Sequence, residues 1–272
     1  MQAVDSIAAE FIAVESINGD PASKILLICD HATNAVPAEL GSLGMEFEAF
    51  ERHIAYDIGA AAATRLMAQA LEAPAILSGF SRLLIDPNRG GDDPTLVMRI
   101  SDGALIPGNA YIDAAEVERR KQLYWLPYRT AIADKIAAMT ELCPAPLIIS
   151  VHSMTHVWKG VERPWEFSIL WDKDPRLAQP LIENLRAQRL HVGDNQPYDG
   201  ALKGDTLYDH ATKHGLAHVL IEFRQDLIAD AEGVEKWTRI LLSALTPLLE
   251  NPELYTAKIY GSRADETANE AG

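Results

Sequence analysis

Two histidines stand directly after apolar runs. His31 follows Ile25-Leu-Leu-Ile-Cys-Asp30, and His152 follows Leu147-Ile-Ile-Ser-Val151. A neutral imidazole is the commonest protein metal ligand, and a strand end fixes its direction. One such histidine is explained well enough by a hydrogen bond to a loop carbonyl; a pair at equivalent positions favours a shared metal. Neither a His-Glu-x-x-His run nor a Cys-x-x-Cys pair occurs, so a site of this kind must be assembled from separated segments. Glu222 ends a third run, His218-Val-Leu-Ile-Glu222. A carboxylate in such surroundings is costly without a partner. Its structural explanation is an ion pair with Arg224, two residues on and on the same strand face. The chemical one is a general base beside a metal-bound water, its pKa lifted towards neutrality by burial, and this reading is preferred.

Ser81-Arg-Leu-Leu-Ile-Asp-Pro-Asn-Arg89 adds two guanidinium groups, Arg82 and Arg89, around a short apolar stretch. Arginine grips a carboxylate through two parallel hydrogen bonds and so selects anionic ligands. Pairing of either arginine with Asp86 is the structural alternative, and Asp-Pro-Asn is also good turn chemistry. His53 and Asp57, four apart in a helical pattern, share a face; they bond each other, or Asp57 reaches the site as a ligand or a ligand's support. The tract Met154 to Trp165, with His156, Trp158, Arg163 and Trp165, reads as a loop over the site, its aromatics either substrate walls or plain packing.

The elements that must position these groups alternate. Residues 25–29, 75–78, 83–85, 147–151, 167–171 and 218–223 read as strands. Helices are expected over 47–71, over 114–142 with a kink or break at Pro127, from near Pro175, over 205–214 with Gly215 as a left-handed cap, and over 234–250. The alternation predicts an α/β three-layer sandwich around one mixed, mostly parallel sheet. Ligands in such folds collect at the carboxyl ends of strands, which is where Asp30-His31, Asp86-Pro-Asn-Arg89, His152-Ser153 and Glu222-Phe-Arg224 fall.

Composition bounds the rest. The 272 residues carry 24 Lys+Arg against 39 Asp+Glu, a net charge of −15, and 48% are hydrophobic. A chain of this kind builds a substantial core and repels nucleic acid and anionic membranes. A single domain over 1–256 and a polar, unstructured tail over 257–272 are expected. Two cysteines, Cys29 and Cys143, make no disulfide framework. The first seventeen residues carry acids where a leader would carry bases, and no apolar run approaches the roughly 18 residues of a bilayer span. A cytoplasmic protein is the expectation.

The ordered blocks Cys-Asp-His-Ala-Thr-Asn (29–34), His-x3-Asp-Ile-Gly (53–59), Ser-Arg-Leu-Leu-Ile-Asp-Pro-Asn-Arg (81–89) and Val-His-Ser-Met (151–154) form half of a familiar pattern. Arg-Pro-Trp-Glu-Phe (163–167), Asn-Gln-Pro-Tyr-Asp-Gly (195–200) and Ile-Glu-Phe-Arg-Gln-Asp-Leu-Ile (221–228) form the other half. Together they resemble the N-formylglutamate amidohydrolase family, and more distantly the zinc carboxypeptidases and aspartoacylase-like deacylases. The resemblance implies a phosphorylase/hydrolase-like sheet and metal-dependent hydrolysis of a small anionic N-acyl amino acid, N-formyl-L-glutamate by the family's name. It implies zinc on His31 and His152, with Glu222 as general base and Arg82 on the oxyanion or on a second carboxylate. Asn88 and Arg89 would hold a carboxylate, and Ser153, Arg163, Tyr198 and Arg224 would complete substrate binding. The related enzymes begin with His-x-x-Glu, whereas this chain has His31-Ala-Thr-Asn34. The third ligand is therefore expected to be Asp57, with Asp30 or Asn34 as alternatives. A carboxypeptidase or other deacylase, and a non-catalytic carboxylate-binding protein on the same fold, are the competing readings.

Overall fold

The computed structural model describes residues 11–20 and 22–270. Seven strands form one sheet: β1 (Val14–Ile17), β2 (Ile25–Cys29), β3 (Ala75–Ser78), β4 (Leu147–Met154), β5 (Phe167–Leu170), β6 (Val192–Asp194) and β7 (His218–Arg224). Their order is β1-β3-β2-β4-β7-β5-β6. The β1–β3 and β7–β5 pairs are antiparallel and the remaining pairs parallel, so the sheet is mixed and mostly parallel, as expected. The α-helices longer than four residues are α1 (Ala60–Leu71), α2 (Ala114–Arg120), α3 (Leu126–Thr140), α4 (Ala178–Ala187), α5 (Thr206–His210), α6 (Ala231–Leu245) and α7 (Arg263–Glu270).

Strands β2 and β4 are buried from end to end, which is why both read as unbroken apolar runs. Side chains nevertheless alternate between two cores. Leu27, Cys29, Ile149, Val151, Val219 and Ile221 pack with α1, α4 and α6. Leu26, Ile28, Ile148 and Leu220 pack with Tyr128 and Ile132 of α3 and Leu207 of α5. The even parity that gives this second face also carries Ser150, His152 and Glu222.

Several expected elements differ. The pattern over 47–71 is not one helix: Phe47–Phe50 makes a single turn, residues 51–59 form tight turns, and α1 begins at Ala60. Gly59 has φ +80°, and a Cβ there would stand 2.3 Å from the Ile228 carbonyl oxygen, so only glycine fits this bend. His53 and Asp57 therefore do not share a helical face. Leu83 to Ile85 is a turn and loop segment rather than a strand. Pro127 breaks nothing: the Leu126 amide bonds the Lys121 carbonyl, and this wider π turn carries the helix past the missing N–H. Gly215 does take the left-handed conformation, φ 67°. Residues 263–270, expected to be unstructured, form α7, whose first residue Arg263 bonds Asp172, Asp199 and the Trp171 carbonyl. Of the expected acidic, leaderless start, residues 1–10 lie outside the described residues. No helix among those described is long and apolar enough to cross a membrane.

Candidate active site

His31 sits one residue beyond the bend that ends β2, and its carbonyl accepts the Asp57 amide at 2.9 Å. That bond anchors the 51–59 turns against β2 and brings Asp57 to both histidines. Asp57 Oδ2 lies 2.8 Å from His152 Nδ1 and 3.4 Å from His31 Nδ1. The outer nitrogens are held as well: His31 Nε2 is 2.8 Å from Asp86 Oδ1, and His152 Nε2 is 3.0 Å from Asp30 Oδ2. All five side chains are buried. His31, Asp57 and His152 each offer a ligand atom, and these atoms lie within 4.8 Å of one another. Two imidazoles and one carboxylate, with a carboxylate behind each imidazole, are the donor set and the outer support of a catalytic metal site. The residues fit a divalent cation.

Electrostatics within the cluster follow from burial and close charge. Burial alone would raise Asp57, but the two histidines hold it well below the usual carboxylate range. Asp86 is likewise held low against burial by Arg82 and His31, and Asp30 is brought to about 2 chiefly by its bond to His152. Burial opposes charge on His152, yet hydrogen bonds to Asp30 and Asp57 lift it to about 10. Glu222 goes the other way. Burial, reinforced by the negative Asp57, raises it to about 7. Its Oε2 is buried with no hydrogen-bond partner.

The 81–89 loop is no strand, yet it is fastened at several points by hydrogen bonds. Ser81 Oγ donates to the Ala55 carbonyl at 2.8 Å. The buried Arg120 donates to the Leu84 carbonyl (2.9 Å) and to Asn109 Oδ1 (2.7 Å), while Asn109 Nδ2 donates to the Leu83 carbonyl (2.8 Å). Arg82 bonds Asp86 at 3.0 Å and stands 3.6 Å from Asp57. Arg89 is held more loosely, with contacts of 3.9 Å to Asp86 and to Asp93. Asn88 Oδ1 accepts the Thr206 amide at 3.1 Å.

A cavity of about 420 Å³ opens on these groups and brings together His31, Asp57, Arg82, Asn88, Arg89, His152, Ser153, Tyr198 and Glu222. Ser153 is on the wall, but its hydroxyl donates to the Ile58 carbonyl and its amide to Asp57. Two expected binding residues are not on the wall. Arg224 is committed to Asp226 at 2.8 Å, so the alternative Glu222–Arg224 pair does not form. Arg163 lies one layer out, its guanidinium 5.6 Å from the Trp158 ring centre and 5.1 Å from that of Tyr198, with a 3.1 Å bond to the Tyr198 hydroxyl. Asn34 turns away to the Phe50 carbonyl and Glu51. Asp30 is occupied by His152, Ser150, Tyr128 and Thr206. His53 faces Asp102 at 3.6 Å and the Trp158 ring rather than Asp57. Sequence reasoning gave no place at the site to Asp205 or Gln225, both on the cavity wall, and saw Asp86 only as an arginine partner. The one available signal was for Asp30: it continues the even parity of Leu26 and Ile28.

The family model of N-formylglutamate amidohydrolases matches residues 23–229. The solved structure of a gene product from Agrobacterium tumefaciens superimposes with a TM-score of 0.80 and 32% sequence identity, covering 88% of this chain and 96% of that one. An N-formylglutamate amidohydrolase from Ralstonia eutropha JMP134 gives a TM-score of 0.62 at 20% identity, covering 87% and 97%, a likeness of fold. No curated protein matches the sequence.

Proposed function

Since the chain belongs to the N-formylglutamate amidohydrolase family, and so to the amidohydrolases, we propose that its cavity performs metal-assisted hydrolysis of an N-acyl amino acid. N-Formyl-L-glutamate is the reference substrate that the family supplies. The observation that carries the reading is Glu222: a buried carboxylate with a free oxygen, raised to about 7, beside a His-Asp-His cluster. His31, Asp57 and His152 would hold the ion, and two imidazoles with one carboxylate suit zinc with a position left open. When bound, such a cation polarises the acyl carbonyl and lowers the pKa of water.

The chain's own residues supply the rest. Glu222, with a pKa near the working pH, takes a proton from the attacking water and returns it to the leaving amine. Arg82, fixed by Asp86, faces the charge that develops on the carbonyl oxygen. Arg89, the least engaged guanidinium of the two, grips the substrate carboxylate, with the Asn88 NH2 as a second donor. Tyr198, braced by Arg163, forms the opposite wall. A non-catalytic carboxylate binder drew its support from Asn34; Asp57 beside both histidines argues against it.

The test is elemental analysis of untreated protein together with amine release from N-formyl, N-acetyl and dipeptide substrates, with and without chelator. About one zinc per chain and chelator-sensitive release from the N-acyl amino acids are expected. Full turnover after metal removal, or no release from any of them, would overturn the reading. Preferential release from the dipeptides would move it to a carboxypeptidase.

A further inference from the structure

The cavity does not end at Glu222. On the same face of β7, Leu220 and His218 follow it inwards, and all three line the wall. Four residues of strand extend about 13 Å. Register defines the rows: His152 and Glu222 lie opposite each other at the reacting level, and the next row down is Ser150, Leu220 and Leu170. Leu202 and Leu207 also line this inner part, while the Trp171 side chain packs on the other face of the sheet.

Charge is distributed unevenly along it. The cationic side chains on the wall, Arg82 and Arg89, are both tied to the reacting end through Asp86. The ionisable groups of the inner part are Asp199, Asp205 and His218. Asp199 is taken by Arg263 at 2.6 and 2.8 Å. His218 places Nδ1 2.8 Å from the Leu216 carbonyl and Nε2 3.1 Å from the Thr212 hydroxyl, and burial lowers its pKa. Asp205 is buried and caps α5 by accepting the Tyr208 amide at 2.6 Å. The nearby Arg129 reaches only the Asp205 backbone carbonyl, its charge going to Asp209. Burial raises Asp205 to about 7. A carboxylate pushed into this chamber would lose water to the walls of Leu170, Leu202, Leu207 and Leu220, meet a carboxyl group, and find no cation on the wall there.

Resting on the hydrolase reading above, we infer that the inner chamber takes an uncharged, apolar amino-acid side chain. The preferred substrates are then N-formyl derivatives of apolar amino acids, and the second carboxylate of N-formyl-L-glutamate is disfavoured.

The experiment compares kcat/KM of the metal-replete protein for N-formyl derivatives of L-norleucine, L-glutamine, L-glutamate and L-lysine, which differ mainly in the end of the side chain. It is run in about 0.3 M salt, where the net negative charge is largely screened beyond the first few ångströms. Norleucine is expected to exceed glutamate by at least about tenfold, with glutamine between them. Asp205→Asn, which keeps a cap acceptor, should improve glutamate more than norleucine and so narrow the gap. Glutamate equal to or above norleucine, or lysine as the best substrate, overturns the inference and leaves the hydrolase reading standing. Failure of all four overturns the inference, and the hydrolase reading falls with it only if the N-acetyl and dipeptide substrates release no amine either.

Discussion

Replacing Glu222 with glutamine separates its chemistry from its packing, because the two side chains are nearly isosteric and only one can carry a proton back and forth. A positioned general base contributes about 10²–10⁴ in rate, so kcat should fall by that factor, a barrier increase of about 3–5 kcal/mol. Neither zinc content nor KM should move beyond a few-fold, since Glu222 Oε2 bonds nothing that holds ion or substrate. Stability should move the other way. Burial raises Glu222 from 4.5 to about 7, so in chelated protein its ionisation at high pH costs about 3 kcal/mol of stability. For a raised carboxylate the contribution is complete below about pH 4.5 and is lost as pH rises through 7. Glutamine has no charge to bury. Urea unfolding of the chelated proteins should give similar midpoints at pH 4 and a more stable variant at pH 8.5. Near-normal turnover would remove Glu222 from the mechanism; an equal loss of stability at both pH values would make it a structural residue.

Arg89→Met should reduce kcat/KM by roughly 10²-fold or more, about 3 kcal/mol, with zinc content and melting temperature unchanged because its ion pairs are only 3.9 Å contacts; unaltered kcat/KM would break the carboxylate grip. Asp30→Asn should weaken zinc affinity about 10–100-fold, read by competition with a chromophoric chelator, since it is the carboxylate behind His152; unchanged affinity would deny it that role. Arg120→Met leaves the Leu84 carbonyl and Asn109 Oδ1 without a donor, at about 1–3 kcal/mol each. Urea melts should show that loss and kinetics a raised KM from a looser 82–89 loop, and a melt like wild type would refute the clamp.

What could be read in advance divides along a physical line. Strands β2, β4 and β7 are covered on both faces, so burial writes itself into consecutive residues, and the groups at their ends were found from the runs themselves. The 47–58 segment shows the opposite case. Its apolar spacing imitates a helix, yet Phe50, Ile54 and Ala55 are buried in a small cluster with Leu83 and Ile106, a demand that tight turns meet as well as a helix does. Leu83, Leu84 and Ile85 are apolar for a similar reason: they are buried in a loop fastened by Arg120 and Asn109, not paired in a ladder.

The supports of the site were hidden by distance along the chain. His152 finds Asp30 122 residues away, and His31 finds Asp86 55 away; a local pattern cannot report either contact. Arg120 illustrates the cost of this most clearly. On its helix it resembles any solvated arginine beside Glu116, but at 1% exposure it is among the largest fully buried side chains. The loop it fastens is the one that aims Arg82 and Arg89, so the two arginines that sequence reasoning singled out take their positions from a third that it passed over. Asp57 is suggested by its spacing to His53 and by the motif's missing carboxylate, but on the premise of a helix that does not form. Its place comes from the His31 carbonyl and from a glycine two residues on that no other residue could replace. Direction and burial of a side chain at a strand end are local properties; convergence of three such side chains on one point is not, and at this site it is achieved by turns.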